Sequence, residues 1–132
     1  MLSSEFFKKW YAEFASAVDK HIMQEHVQAS GCMPWHIFTW GKIPCVMGEK
    51  ALDEFLKMKD DQKVFVFTGF DYENDWVEEY DFIDKGYLTH LMQIDNINNE
   101  VFVTAVDFSW TFVWTHEGYY CGPFLCYKKD IN

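Results

Sequence analysis

Seven acidic residues that alternate with large aromatic rings lie in one short stretch, residues 71–84, which we call the acidic-aromatic segment. Rings at an interface supply buried area, while carboxylates steer and orient a basic partner. This pattern predicts a docking surface for a positively charged protein. The residues that we expect to contact it are Asp71, Tyr72, Glu73, Asp75, Trp76, Glu78, Glu79, Tyr80, Asp81 and Asp84. The alternative is a solvated connecting loop whose rings anchor it to the domain.

The charge of the whole chain narrows the class of partner. Among 132 residues there are 21 acids and 11 basic residues, all of them lysine, which gives a formal net charge of −10. Nucleic acids and anionic membranes are disfavoured as ligands, because phosphate groups are bound by clustered Lys and Arg. The expected partner is therefore a basic protein. Acidity without any dedicated partner is the other interpretation.

Histidine and cysteine chemistry is a second possibility. The side chains that could serve a metal ion or a thiol nucleophile are His36, His90, Asp107, His116, Glu117 and Cys121. They lack the local spacing that zinc sites use, and nothing marks the Cys121 thiol as activated. We therefore expect no catalytic residue, no metal and no cofactor. The alternative is a small metal-dependent or thiol enzyme that uses His36, His116, Glu117 and Asp107.

The remaining sequence signals concern the compartment. The first residues lack the ordered basic, apolar and small-residue regions of a signal peptide, and no apolar run approaches the roughly 18 residues of a membrane span. We therefore expect a cytoplasmic protein. Its cysteines, Cys32, Cys45, Cys121 and Cys126, are then expected to be free thiols, because that compartment is reducing.

Hydrophobic periodicity predicts helices in the first half of the chain. Apolar residues at intervals of three and four predict a helix over about 4–28, with Ser3 or Ser4 as its N-cap. A second amphipathic pattern predicts a helix over 48–59. Two runs rich in rings and β-branched residues, Trp35–Trp40 and 63–69, are predicted to be strands.

The C-terminal half is predicted to be mostly strands, over 87–94, 101–106, 109–115 and 119–127, with a turn at Asp95–Asn99 and a last strand that is an edge or is broken at Pro123. The spacing from Asn74 to Phe82 is ambiguous between a helical turn and a loop. Together these elements predict a single α+β domain over 1–132. In it, N-terminal helices pack on one face of an antiparallel sheet formed largely by the C-terminal half.

Five short motifs resemble a family of small bacterial proteins that carries only a label of unknown function. They are Pro34–Trp40, Gly48–Ala51, Asp107–Phe112, Thr115–Glu117 and Gly122–Phe124. The resemblance spans roughly residues 30–127 and implies no activity; the acidic-aromatic segment is not part of the pattern. The resemblance suggests either a shared polar-aromatic site or, as the favoured interpretation, core packing around a hydrogen-bonded histidine. The residues concerned are Trp35, His36, Trp110, Thr111, His116 and Glu117.

In size, acidity and type the chain also resembles the immunity proteins of bacterial toxin systems, including contact-dependent growth inhibition. That resemblance implies a small cytoplasmic antitoxin that neutralises a basic toxin. We therefore expect a non-enzymatic protein that occludes the active site of a toxin domain, a nuclease, with carboxylates that imitate phosphate charge. The alternatives are the small enzyme described above and a housekeeping domain without a dedicated partner.

Overall fold

The computed structural model describes residues 1–27, 33–39, 43–93 and 100–128. Its helices are α1 (Ser3–Phe14), α2 (Lys20–Ile22) continued by a π turn (Met23–Val27), a 3₁₀ helix (Pro34–Phe38), α3 (Glu49–Leu56), α4 (Lys85–Gln93) and a 3₁₀ turn (Gly118–Tyr120). Its strands are β1 (Val46–Met47), β2 (Val64–Gly69), β3 (Glu78–Tyr80), β4 (Glu100–Ala105), β5 (Trp110–Trp114) and β6 (Phe124–Tyr127). None of the helices in these ranges is long and apolar enough to cross a membrane.

The described strands form one sheet in the order β1-β6-β5-β4-β2-β3, and every neighbouring pair is antiparallel. The centre of this sheet, β2, β4, β5 and β6, lies mostly in the C-terminal half, and the N-terminal helices pack against it. The predicted α+β architecture is confirmed.

Both faces of the sheet are covered, whereas the sequence predicted one covered face. On β2, Phe65 and Phe67 pack with α1 and the 3₁₀ helix Pro34–Phe38, while the alternate residues Val64 and Val66 pack with α3 and α4. All six residues of β4 are buried. A strand buried on both faces does not show the apolar–polar alternation of a half-exposed strand.

The predicted first helix is shorter than expected. It ends at Phe14, and the chain becomes helical again only at Lys20, after Asp19 has accepted a hydrogen bond from the backbone N–H of His21. Aspartate competes for backbone N–H groups, so it starts a new helical turn instead of continuing the old one. Leu2, not a serine, occupies the N-cap position. Residue 28, the predicted helix end, lies outside the described ranges.

Two predicted strands are helical. Pro34 sets the backbone angle for a 3₁₀ helix that closes with the bond from His36 N to Met33 O, so the ring-rich run is not extended. Residues 87–93 belong to α4, whose first turn is capped by the Asp84 carboxylate through the Tyr87 N–H. Trp40, Ile94 and the predicted turn Asp95–Asn99 are not among the described residues.

The other predicted elements are confirmed with small shifts of their ends. Helix α3 lies within 48–59, and β2, β4 and β5 lie within or one residue beyond their predicted runs. The last strand is shorter than predicted: Gly118–Tyr120 is a 3₁₀ turn, and β6 begins only at Phe124, because Pro123 cannot donate to the sheet ladder. The predicted break at Pro123 is confirmed, whereas the edge alternative is wrong, since β6 pairs with both β1 and β5. The ambiguous stretch from Asn74 to Phe82 contains the short strand β3 and no helix.

Candidate functional site

The acidic-aromatic segment runs along the free side of β2. It leaves β2 after Gly69, turns at residues 72–74, and returns as β3 with Glu78 opposite Val66 and Tyr80 opposite Val64. Since β3 is the last strand in the sheet order, the segment forms one edge of the molecule.

The first three residues of the chain hold the beginning of this segment in place. The Ser3 hydroxyl donates to the carbonyl of Asp71 (3.0 Å) and accepts from the N–H of Asp75 (3.0 Å), and Ser3 N donates to Asp75 O (2.8 Å). Leu2 forms a bridge with Trp76, and Val77 N donates to the Met1 carbonyl (2.8 Å). Ser3 is fully buried, so it has a structural role that replaces the predicted capping role.

The acids of the segment divide into two groups. Asp71 accepts from the N–H groups of Glu73 (3.1 Å) and Asn74 (2.8 Å), Asp75 accepts from Trp76 N (2.8 Å), and Asp84 caps α4. These carboxylates shape the backbone. The other group is exposed and takes part in no salt bridge among the described residues: Glu73, Glu78, Glu79 and Asp81.

The rings of the segment also divide. Trp76 and Phe82 are 56% and 51% exposed and flank the free carboxylates. Tyr80 is half-buried. Tyr72, which the sequence offered as a residue to contact a partner, points inward instead, with its ring edge-on to Phe7 at 5.2 Å. The most exposed rings of the segment are therefore Trp76 and Phe82.

Tyr72 leads to a buried acid that the sequence did not single out. Glu100, the first residue of β4, is fully buried, accepts a hydrogen bond from the Tyr72 hydroxyl and lies 3.4 Å from Nδ1 of His116. The pKa of the Glu100 carboxyl is raised to about 8. Burial is the main cause and the charge of Glu117 adds to it, while the Trp35 side chain and the His116 backbone lower the pKa in opposition. At pH 7 this carboxyl is mostly neutral.

The Trp35 indole N–H lies beside the same carboxyl. It is close enough to lower the pKa of Glu100, yet it satisfies no hydrogen-bond geometry with any described residue. A buried N–H without a well-formed partner is rare in folded proteins. This N–H therefore gains some electrostatic stabilisation from Glu100 but makes no full hydrogen bond among the described residues.

His36 and His116 complete the surroundings of Glu100. The ring of Trp35 lies 4.2 Å from that of His36 and 6.1 Å from that of His116. Burial lowers the pKa of His36, and the charge of Glu117 opposes the shift. The structure thus brings together four residues of the predicted polar-aromatic site: Trp35, His36, His116 and Glu117.

Two further residues of that predicted site lie elsewhere. Trp110 is on the opposite face of the sheet, where its indole donates to Gln62 (3.2 Å). Thr111 accepts from the Trp10 indole (3.0 Å) and pairs with Thr104 (2.8 Å), so it satisfies polar groups inside the core.

Metal and thiol chemistry gain no support from the geometry. Across the described ranges, no group of three or more His, Cys, Asp or Glu residues is arranged to hold a metal ion. Asp107 is bound into a turn by Ser109 N (2.9 Å), and His90 is exposed on α4. Burial and the charge of Glu117 raise the pKa of the Cys121 thiol, which lowers its thiolate fraction.

The sequence analysis did not single out Glu100, because the residues around it give little indication that this side chain is buried. It precedes an apolar strand and follows a polar stretch, as many exposed acids do. The one usable signal is its direct continuity with the buried run that follows, since the first residue of a fully buried strand is itself close to the core.

Fold and site define the class of this molecule: an α+β protein whose six-stranded antiparallel sheet carries an exposed acidic edge and a buried carboxyl at one end. The chain belongs to the family described as "Domain of unknown function (DUF4275)", whose model matches residues 2–125. This confirms the resemblance to a family of unknown function, and the matched range includes the acidic-aromatic segment. No curated protein and no solved structure matches the chain.

Proposed function

We propose that this protein binds a basic protein through its acidic-aromatic segment, as an immunity or antitoxin protein that neutralises a toxin, a nuclease, by covering its active site. The observation that carries the proposal is a group of exposed carboxylates beside the exposed rings of Trp76 and Phe82; within the described ranges these carboxylates make no salt bridge: Glu73, Glu78, Glu79 and Asp81.

Three physical features support this proposal: the availability of the carboxylates, the ordered backbone of the segment and an exposed tryptophan. Carboxylates that make no salt bridge among the described residues can pair with a partner's lysines and arginines without first breaking an internal salt bridge. Ser3 and the β2–β3 ladder already order the segment, so binding costs less conformational entropy than it would for a free loop. An exposed Trp between acids is the type of residue that carries much of the energy at interfaces.

The proposal predicts that a toxin gene lies directly upstream of this gene, and the test uses the toxin domain that such a gene would encode. We expect this domain to be basic and to bind the purified protein with an association rate that falls as salt rises. The double variant Glu78→Lys/Asp81→Lys should associate at least about tenfold more slowly, because charge steering changes association rates by about 10- to 1,000-fold.

The matched control is Asp53→Lys/Asp61→Lys, which changes the net charge equally at exposed acids outside the segment. Equal slowing by both double variants would reduce the effect to net charge alone. Binding that is independent of salt and of Glu78 and Asp81 would refute the docking role.

A second candidate function is an enzyme that uses the Glu100 site. The observation in its favour is a buried carboxyl with a pKa of about 8 beside His116, because a carboxyl that stays protonated near neutral pH can serve as a general acid. The test is turnover of chromogenic esters, phosphodiesters and glycosides, together with metal analysis of the purified protein. Activity that is lost in Glu100→Gln, or stoichiometric metal, would place this candidate first.

A further inference from the structure

A small groove lies between the acidic edge and α4, next to β3. It has a volume of about 40 Å³ and is lined by Val64, Val66, Tyr80, Phe82, Asp84, Tyr87 and Leu88. A water molecule needs about 10–15 Å³ on this measure. The groove therefore has room for a few heavy atoms, which is the size of the end of one side chain.

The lining is apolar below and aromatic at the sides. Val64, Val66 and Leu88 are buried and form the floor. Phe82 and Tyr87 are 51% and 48% exposed, so the groove is open to solvent between rings. Aromatic faces and methyl groups suit the aliphatic stem of a long side chain and the delocalised charge at its end.

The charge at the mouth of the groove is negative. Asp84 lines the groove, and Glu78 lies directly opposite the lining residue Val66 in the β2–β3 ladder. The pKa of Tyr80 is raised by burial first and then by Tyr87, Glu78 and Asp84, in agreement with this placement. The nearest cation on α4, Lys85, is turned away: its Nζ binds Asp60 (2.8 Å) and the carbonyl of Met58. Glu78 and Asp84 are thus left without a cation among the described residues.

We propose that this groove receives one lysine or arginine side chain of the basic partner, with its stem against Val64, Val66 and Leu88 and its charged end between Glu78 and Asp84. The inference rests on the proposed function and adds its central contact. An apolar anchor would bring no cation to Glu78 and Asp84, whereas a cation with an aliphatic stem satisfies floor and rim together.

The experiment titrates the free full-length protein with single-residue probes, followed by NMR of methyl and aromatic groups. The probes are N-acetyl-arginine amide, N-acetyl-lysine amide and, as an apolar control of similar length, N-acetyl-norleucine amide. We expect the cationic probes to shift the methyl signals of Val64, Val66 and Leu88 and the ring of Tyr87. The norleucine probe should shift them at least threefold less.

Two variants sharpen the test without unfolding the protein. Asp84→Asn keeps a residue that caps α4 but removes the charge, and should weaken arginine-probe binding about threefold or more. Phe82→Ala removes an exposed ring and should weaken it similarly. Glu49→Gln, an exposed acid on α3, is the matched control and should change nothing.

The experiment distinguishes failure of the groove proposal from failure of the proposed docking function. If the toxin binds with salt dependence but the probes leave the groove signals unchanged, the groove proposal is overturned and the docking role stands. Equal shifts with norleucine, or unchanged binding in Asp84→Asn, would also overturn it. Probe binding without any toxin binding would refute the docking role and leave a cation-binding groove.

Discussion

The acidic edge and the Glu100 site present the same functional group in opposite surroundings. Along the edge, Glu78 and Glu79 are exposed to water, and their charge can reach a partner. At the end of the same sheet, Glu100 is fully buried and its pKa is about 8. The formal charge of −10 counts both kinds alike, although Glu100 at pH 7 contributes little of it, which leaves about −9.

The difference between the two regions shows that position in the sheet decides what a carboxylate does. An exposed acid at an edge strand costs little, because its charge remains hydrated. A buried acid costs folding free energy whenever it ionises, unless donors or cations offset the loss of water. Tyr72 joins the two regions: its backbone lies near the start of the acidic-aromatic segment, and its hydroxyl donates a hydrogen bond to Glu100. The predictions below break or sharpen this contrast.

The largest expected effect is the pH dependence of stability at Glu100. The carboxyl has an ordinary value of 4.5 and a folded pKa of about 8. Below about 4.5 both states hold the proton; between these values only the folded state holds it, so the free energy of unfolding falls as pH rises, and above about 8 the effect levels off. Relative to Glu100→Gln, the wild type should lose on the order of 4 kcal/mol between pH 5 and 8.

The measurement is urea unfolding of both proteins at several pH values from 5 to 9. Glu79→Gln, at an exposed position on the edge, is the control and should track the wild type. A wild-type-minus-Glu100→Gln difference that stays constant over this range would mean that Glu100 is hydrated and that the contrast between the two regions is wrong.

The next effect concerns the hydroxyl that links the two regions. Tyr72→Phe keeps the ring against Phe7 but removes the donor to Glu100. A buried acceptor that loses its donor costs about 1–2 kcal/mol, to be measured by urea unfolding at pH 7. Tyr119→Phe, at an exposed tyrosine, should cost less than about 0.5 kcal/mol. Equal losses in both variants would show that the Tyr72 hydroxyl has no specific role.

A smaller effect is expected where the N-terminus holds the edge. Ser3→Ala removes the hydrogen bonds to Asp71 O and Asp75 N and should cost about 1 kcal/mol. Amide exchange of Asp75 and Val77 should become faster, because their segment loses its anchor. Ser4→Ala, at the exposed neighbour, is the control. Unchanged exchange in Ser3→Ala would mean that the β2–β3 ladder alone orders the segment.

The smallest stability effect belongs to the edge itself. Glu78→Lys/Asp81→Lys should change the free energy of unfolding by less than about 0.5 kcal/mol, since both residues are exposed and without salt bridges among the described residues. Thermal and urea unfolding measure this directly. A large loss of stability would show that these acids are structural, and it would remove the main argument for their role in recognition.

Sequence reasoning succeeded where local pattern and tertiary burial agree. The periodicity of α3 and the β-branched residues of β2 predict their elements because each buries the face that its pattern indicates. It failed at Pro34–Phe38 and in α4, where ring-rich or loosely alternating residues fit a strand equally well. There the caps and packing partners decided: Pro34 at the start of one helix and Asp84 before the other.

The candidate site was predicted in the same uneven way. The exposed acids could be read directly, because seven acids in fourteen residues cannot all be buried. The grouping of Trp35, His36, His116 and Glu117 was proposed from motifs, and the structure brings it about. Glu100 and Ser3 could not be found, since their roles depend on residues 28 and 68 to 72 positions away in the chain.

By itself the sequence determined the α+β class, the family of unknown function and an edge rich in acids and rings, because composition and periodicity are local properties. Only the tertiary structure decided which acid is buried, which ring turns inward and which carboxylates make no salt bridge in the part of the chain that the structure describes. Those outcomes depend on strand order and on contacts between distant residues. The chemistry of a carboxyl group is therefore set by the neighbours that folding brings to it.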